Sequence, residues 1–236
     1  MMIALLFILS VVILTTLALV SVINQIQRRE RARRLQQRQL RLQVELLEEV
    51  LSCLIQTVPN RQIAKHINDE ILDLLQQILQ LEQRNTTHIE ASLKHAQERE
   101  NELVNVKSQP RTSYLQGSDV QVAQAQAHLS KAAQVLRHQQ TMGRLNDEEL
   151  DVYLSELTWA HLMVSVVSFI GQGYKASARG DIFAAQAYYK KAQYLLIEST
   201  HPDPKRMRMI RELGETITGT RKTLSEDLVP EEAALF

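Results

Sequence analysis

The chain opens with a long run of uncharged residues, and charged residues begin only after it. Residues 2–23 carry no charge, and 15 of these 22 residues are Leu, Ile, Val or Phe. As a helix the run would measure about 33 Å, enough to cross a hydrocarbon core of about 30 Å. A cleaved signal peptide would have a shorter apolar run behind basic residues, and no Lys or Arg precedes this one. The pattern predicts an uncleaved transmembrane anchor over residues 2–23, embedded in a lipid bilayer.

An arginine cluster follows the apolar run. Seven arginines lie within residues 28–41, and only Glu30 opposes them. Positive charge marks the cytoplasmic side of a membrane helix, and arginines beside the bilayer attract anionic headgroups. The sequence therefore predicts a single-pass protein, of a bacterial inner membrane, with its carboxy-terminal part in the cytoplasm. The residues expected to contact the membrane surface are Arg28, Arg29, Arg31, Arg33 and Arg34.

The next segment, residues 24–107, has apolar spacing typical of paired helices. Apolar residues recur four and three apart through residues 40–58 and again through residues 67–81. Each seam is shorter than three heptads, so an intramolecular helical hairpin is favoured slightly over a parallel homodimeric coiled coil. The sequence leaves a homo-oligomer open. Residues 108–118 are polar, contain a proline and a glycine, and predict a linker.

A second set of helices is predicted for residues 119–223. Asn146 stands three residues before Glu149, which is the spacing of a capping box at the start of a long helix. Within that helix, residues 157–171 are strongly apolar. A stretch of this length is short for a membrane span, so it predicts a helix buried in a protein core.

A turn at residues 179–181 joins two stretches rich in small and aromatic residues. The residues that carry a helix–turn–helix pattern of about 34 residues are Phe169, Gly173, Gly180, Asp181, Ile182, Ala185, Tyr189 and Ala192. The pattern resembles one repeat of the tetratricopeptide-repeat family, laid over residues 166–199. The positions that depart from it are Gln172, Ala176 and Ile197.

Four residues are candidates for binding a protein partner. The resemblance implies a groove lined by the first helix of the hairpin, with Tyr174 and Ser177 exposed in it. Arg206 and Arg208 lie in a basic cluster near the start of the next predicted helix. Because cations oppose the dipole at a helix N-terminus, that cluster indicates a contact with a partner or a phosphate. The final segment, residues 224–236, predicts a mobile acidic tail.

The motifs of common enzymes are missing from the sequence. It has no phosphate-binding loop, no H-E-x-x-H and no G-x-S-x-G, and its seven histidines form no i, i+4 pair. Cys53 lies beside an apolar seam, where a buried and unreactive thiol is expected. We therefore expect no catalytic residue, no cofactor and no metal site. Net charge is +0, and no aromatic residues are interleaved with the arginines, so nucleic acid is not the expected partner.

These observations predict an all-α protein with three parts: a single transmembrane helix, a helical hairpin or short coiled coil, and a tetratricopeptide-like domain. The predicted function is that of a non-enzymatic adaptor or scaffold, which presents a helical interaction domain to the cytoplasm for an unidentified protein partner. One alternative is a self-associating coiled-coil stalk. The other is a protein that binds nucleic acid or anionic lipid through its arginine clusters.

Overall fold

Helices make up all the regular secondary structure that the computed structural model describes. The described residues are 2–82, 86–105, 112–221, 223–225 and 227–228. Side chains are described from residue 24 onward, except those of residues 26, 29 and 105. Within these ranges the helices are α1 (Met2–Thr57), α2 (Arg61–Leu81), α3 (Thr87–Asn105), α4 (Asp119–Thr141), α5 (Asp147–Ala178), α6 (Ile182–Glu198) and α7 (Lys205–Ile217). The all-α prediction is confirmed for this part of the chain.

The longest helix, α1, joins the predicted anchor to the helical bundle without a break. It has 56 residues, which corresponds to about 84 Å at the usual rise per residue. The side chains of residues 2–23 and of Arg29 lie outside the described part of the chain, and their membrane roles stay predictions. The helix ends before Pro59, and the side chain of Asn60 then caps α2 by accepting a hydrogen bond from Gln62 N (3.0 Å).

The seams of residues 40–58 and 67–81 meet in the structure, because α2 folds back on α1. Leu51, Leu54, Ile67 and Ile71 are fully buried there. A third helix, α3, also packs against α2, and its Arg99 pairs with Glu48 of α1 (3.6 Å). Its apolar pattern is faint in the sequence because only two of its residues belong to the buried core. These are Ile89 and Ala96.

The buried apolar side chains form two clusters, and the division between them lies within α5. The first cluster unites α1, α2, α3 and α4 with the amino-terminal half of α5, as far as Val164. The second cluster unites the remainder of α5 with α6 and α7. The described part of the predicted linker is packed against α5, where Gln116 N donates to Ser168 Oγ (3.0 Å). The apolar contacts therefore do not divide at residues 108–118.

Among the residues whose side chains are described, α5 is the helix long and apolar enough to cross a membrane. The same length and composition suit the central helix of a folded domain. Half of its most apolar window is buried, and both α4 and α6 pack against it. The structure thus uses residues 157–171 as a core helix.

Local capping signals account for the starts of two later helices. The Asn146–Glu149 capping box is present, with Glu149 N donating to Asn146 Oδ1 (2.7 Å). The start of α7 is Lys205, and Asp203 Oδ1 accepts a hydrogen bond from its backbone N–H (2.7 Å). The short polar side chains before these helices therefore satisfy donors that the helices leave free.

Candidate interaction surfaces

Close contact between α5 and α6 depends on a glycine. A Cβ atom at Gly173 would lie 2.5 Å from the ring of Tyr189, so only glycine allows this approach without displacement. The connecting turn has Gly180 at a φ of 80°, and Asp181 Oδ1 caps α6 by accepting from Ala184 N (3.0 Å). These contacts make a tight helical hairpin. Membership of the tetratricopeptide-repeat family stays a prediction.

The two residues expected to be exposed in a groove differ in their surroundings. Ser177 is exposed, whereas Tyr174 is half-buried. The ring of Tyr174 packs edge-on against that of Tyr189, with centroids 6.1 Å apart. Burial raises the pKa of Tyr174, and a hydrogen bond with the backbone of Leu224 opposes the rise. The expectation of an exposed Tyr174 is therefore wrong, because a later part of the chain covers it.

That covering part is the tail segment, defined as residues 223–225 and 227–228. Leu224 and Leu228 are buried in the second apolar cluster. Sequence reasoning treated everything after residue 223 as mobile, but two leucines four residues apart were a signal for docking. The remainder of the predicted tail lies outside the described residues.

The candidate arginines of α7 have partners within the chain. Arg206 Nη1 donates to the carbonyl oxygens of Leu196 (3.0 Å) and Ser199 (2.6 Å), which closes the carboxy-terminal end of α6. Arg208 forms an ion pair with Asp227 of the tail segment. An external anion at this position would have to compete with these contacts.

A buried carboxylate, Glu212, joins α7 to the tail segment. Its Oε2 atom accepts a hydrogen bond from Ser225 N (3.1 Å). Its Oε1 atom lies 3.7 Å from Arg221 and 3.8 Å from Arg208. A buried charge is tolerated only when it is paired and hydrogen-bonded, and Glu212 meets both conditions. Sequence reasoning missed this residue because Ser225, whose backbone N–H donates to it, lies in a segment expected to be mobile.

The outer face of α6 carries a row of exposed side chains, here named the α6 row. Spaced four and three apart, its members lie along one face of the helix. They are Phe183, Ala187, Lys190, Tyr194 and Ile197. Phe183 is 89% exposed, Tyr194 59% and Ile197 55%. Exposed hydrophobic residues become informative when they share one face, and tyrosine is enriched at protein interfaces.

Exposed arginines precede a second exposed row along α1, and Arg38 and Arg41 lie within its span. Arg28, Arg31, Arg33 and Arg34 are exposed, as contact with a membrane surface would require. The α1 row is defined as three further exposed residues of this helix, spaced seven and four apart: Leu35, Leu42 and Leu46.

One group of residues has the composition of a catalytic triad but not its proton arrangement. His201 Nδ1 accepts a hydrogen bond from the backbone N–H of Asp203 (3.2 Å). The ring proton therefore resides on Nε2, which lies 3.1 Å from both the carbonyl oxygen and the hydroxyl of Ser155. Because the carbonyl can only accept, Nε2 donates and cannot take a proton from Ser155. The group connects α5 to the segment after α6.

One further polar cluster is held together by contacts within the chain. A cleft of about 400 Å³ between α1 and α3 contains Glu48, His95 and Arg99. Arg99 pairs with Glu48 (3.6 Å) and contacts His95 Nδ1 (3.1 Å). No group of three or more His, Cys, Asp or Glu side chains in the described part of the chain is arranged to hold a metal ion.

Comparison of the chain with models of protein families, with curated proteins and with solved structures gave no match in any of the three. The class of this protein is therefore defined by its own structure, as an all-helical bundle with two apolar clusters that share one central helix.

Proposed function

We propose that the chain is a non-enzymatic, membrane-anchored scaffold that presents a helical interaction domain to a cytoplasmic protein partner. The observation that carries this proposal is the α6 row. Phe183 and Tyr194 project from a helix whose opposite face is held by α5. An exposed row of this kind, apolar or aromatic at every position except Lys190, fits pairing with a partner helix or insertion into its groove. Buried aromatic residues supply much of the energy of such contacts.

The membrane part of the proposal is supported by the order of features along α1. The uncharged run of residues 2–23 precedes the arginine cluster, and the same helix then enters the bundle. With the run in the bilayer, the arginines would lie at the headgroups and the bundle in the cytoplasm of a bacterial cell. A continuous helix would also keep the bundle close to the membrane.

The resemblance to a tetratricopeptide repeat supports the same kind of function. The close approach of Gly173 to Tyr189 is a small-residue contact between α5 and α6, which is compatible with the pattern. Ser177 is exposed near the end of α5 and is proposed as a partner contact.

Site-specific photocrosslinking in cells tests the α6 row. A photoreactive amino acid replaces Phe183 or Tyr194, and Val152 of α5, which is 54% exposed, provides a matched control. We expect one recurrent crosslinked protein from both α6 positions and none from Val152, and the product from position 183 should be lost in a Tyr194→Glu background. Equal crosslinking at all three positions would reject the α6 row. A carboxy-terminal tag accessible to protease from outside the inner membrane would reject the orientation.

A self-associating stalk is the second candidate, and the α1 row favours it. Leu40, Val44 and Leu47 face α2 within the chain, whereas Leu42 and Leu46 are exposed on another side of α1. Parallel anchoring would bring copies of this row together at high effective concentration. In a Cys53→Ser background, Leu42→Cys is expected to form a disulfide-linked dimer in membranes if copies pair along α1, and Ser52→Cys is the exposed control.

A further inference from the structure

We propose that α5 and α7 form a binding groove for an acidic segment of a partner protein with the pattern Leu-x-x-Asp-Leu, and that the chain's own tail segment is a competing ligand. This is a second site, separate from the α6 row, and its test does not depend on that row.

The apolar part of the groove is defined by what fills it. Leu224 and Leu228 are both buried in the second cluster. Tyr174 of α5 is hydrogen-bonded to the backbone of Leu224 and is packed on its other side against Tyr189. Two leucines four residues apart are thus the apolar requirement for a ligand.

Charge and backbone contacts set the remaining requirements. Asp227 lies 3.5 Å from Lys205 Nζ and also pairs with Arg208, so an acidic residue directly before the second leucine is favoured. The buried Glu212 accepts the backbone N–H of Ser225, the residue after the first leucine, at 3.1 Å. A backbone contact of this kind recognises a peptide whatever its side chain at that position.

Contacts outside the tail segment also hold α7 on α6, although the cluster that buries α7 includes Leu224 and Leu228. Met209 and Leu213 of α7 are buried in the second cluster. Gln193 of α6 donates to the carbonyl oxygen of Ile210 (3.0 Å), which holds α7 on α6. The tail segment enters after a turn at Gly219, whose φ is 78°. A short connection of this kind keeps the tail at high effective concentration, so a partner segment would have to displace it.

Peptide binding in solution tests the proposal. The protein, held in detergent micelles, is compared as the full chain and as a variant ending at residue 221. The probe is a fluorescent peptide of residues 222–230. We expect saturable binding to the shortened variant and at least tenfold weaker binding to the full chain. An Asp227→Lys peptide should lose most of the binding.

Charge variants of α7 show whether the peptide uses the groove. In the shortened variant, Arg208→Glu should weaken peptide binding at least tenfold, whereas Arg211→Glu, at an exposed position of the same helix, should leave it within about twofold. Equal effects of the two substitutions would reject the groove.

Several outcomes would overturn the proposal. One is a folded shortened variant that does not bind the peptide, and another is equal binding by the full chain. If the shortened variant does not fold, peptide binding is measured instead on the full chain with Asp227→Lys, which removes the acidic contact of the tail segment. The proposal is rejected if this folded variant does not bind the peptide at least tenfold more tightly than the unsubstituted full chain does. A dimer of the full chain that the peptide dissociates would assign the groove to the tail of a second copy, and would reject the partner segment.

Discussion

The two apolar clusters are built in different ways. The first, around α1 and α2, consists of aliphatic side chains at helical spacing, such as Leu51, Ile67 and Ile71. The second, around α6 and α7, depends on a glycine against an aromatic ring, a buried carboxylate and a segment that follows the last helix. The first cluster therefore depends mainly on apolar volume at regularly spaced positions, whereas the second also depends on particular polar and backbone contacts.

Removing volume from the first cluster is expected to have the largest effect. Ile71→Ala would leave a cavity in a fully buried site and is expected to cost about 2–5 kcal/mol of unfolding free energy. Because α5 belongs to both clusters, hydrogen exchange in α6 should rise together with that in α2. Ile197→Ala, at an exposed site, should cost about 0.5 kcal/mol or less in the same denaturant titration. Equal costs for the two substitutions would contradict the assigned core.

Adding volume should separate the two clusters. Gly173→Val would force Tyr189 away from α5 and is expected to cost about 1–3 kcal/mol. Hydrogen exchange should rise in α6 more than in α2, since the contact lies in the second cluster. Gly214→Ala is the control, because its Cβ would meet the end of one side chain, Gln193 Nε2, at 3.1 Å and no aromatic ring. A Gly214→Ala variant as unstable as Gly173→Val would show that the α5–α6 contact is not special.

The buried carboxylate is expected to have a smaller and more local effect. Glu212→Ala would leave Ser225 N without its acceptor and would remove one of the partners of Arg208 and of Arg221, which keep Asp227 and Glu215, at a cost of about 1–3 kcal/mol. Proteolysis at Arg221 should become faster because the tail segment is released. Glu215→Ala removes another partner of Arg221 (3.3 Å) and should accelerate cleavage less. The reverse order of cleavage rates would place the anchor of the tail at Glu215.

The lone thiol gives the mildest test of the first cluster. Burial raises the pKa of Cys53, although a hydrogen bond with Thr57 opposes the rise. A raised pKa leaves less thiolate at pH 8, so alkylation should be slower than in the unfolded chain. Ser52→Cys in a Cys53→Ser background, at an exposed site, should react several times faster. Equal rates would contradict the burial of Cys53 against α4, where its Sγ atom lies 3.9 Å from the carbonyl oxygen of Ala125.

A feature could be predicted from the sequence when the residues that form it lie close together along the chain. The start of α5 was predicted because Asn146 and Glu149 cap it within one turn. The helix α3 was not, since most of its residues face solvent. The contacts of Arg206 with Leu196 and Ser199 were also missed, because they connect two helices across a turn.

The sequence by itself determined the all-helical class, the two seams of the first cluster and the capped start of α5. These features depend on residues within a few turns of one another, where period and capping act locally. Only the tertiary structure decided that Tyr174 is covered, that the tail segment docks and that Glu212 is buried with partners. Each of these depends on residues that meet only after the chain has folded, and spacing along the chain does not encode that meeting.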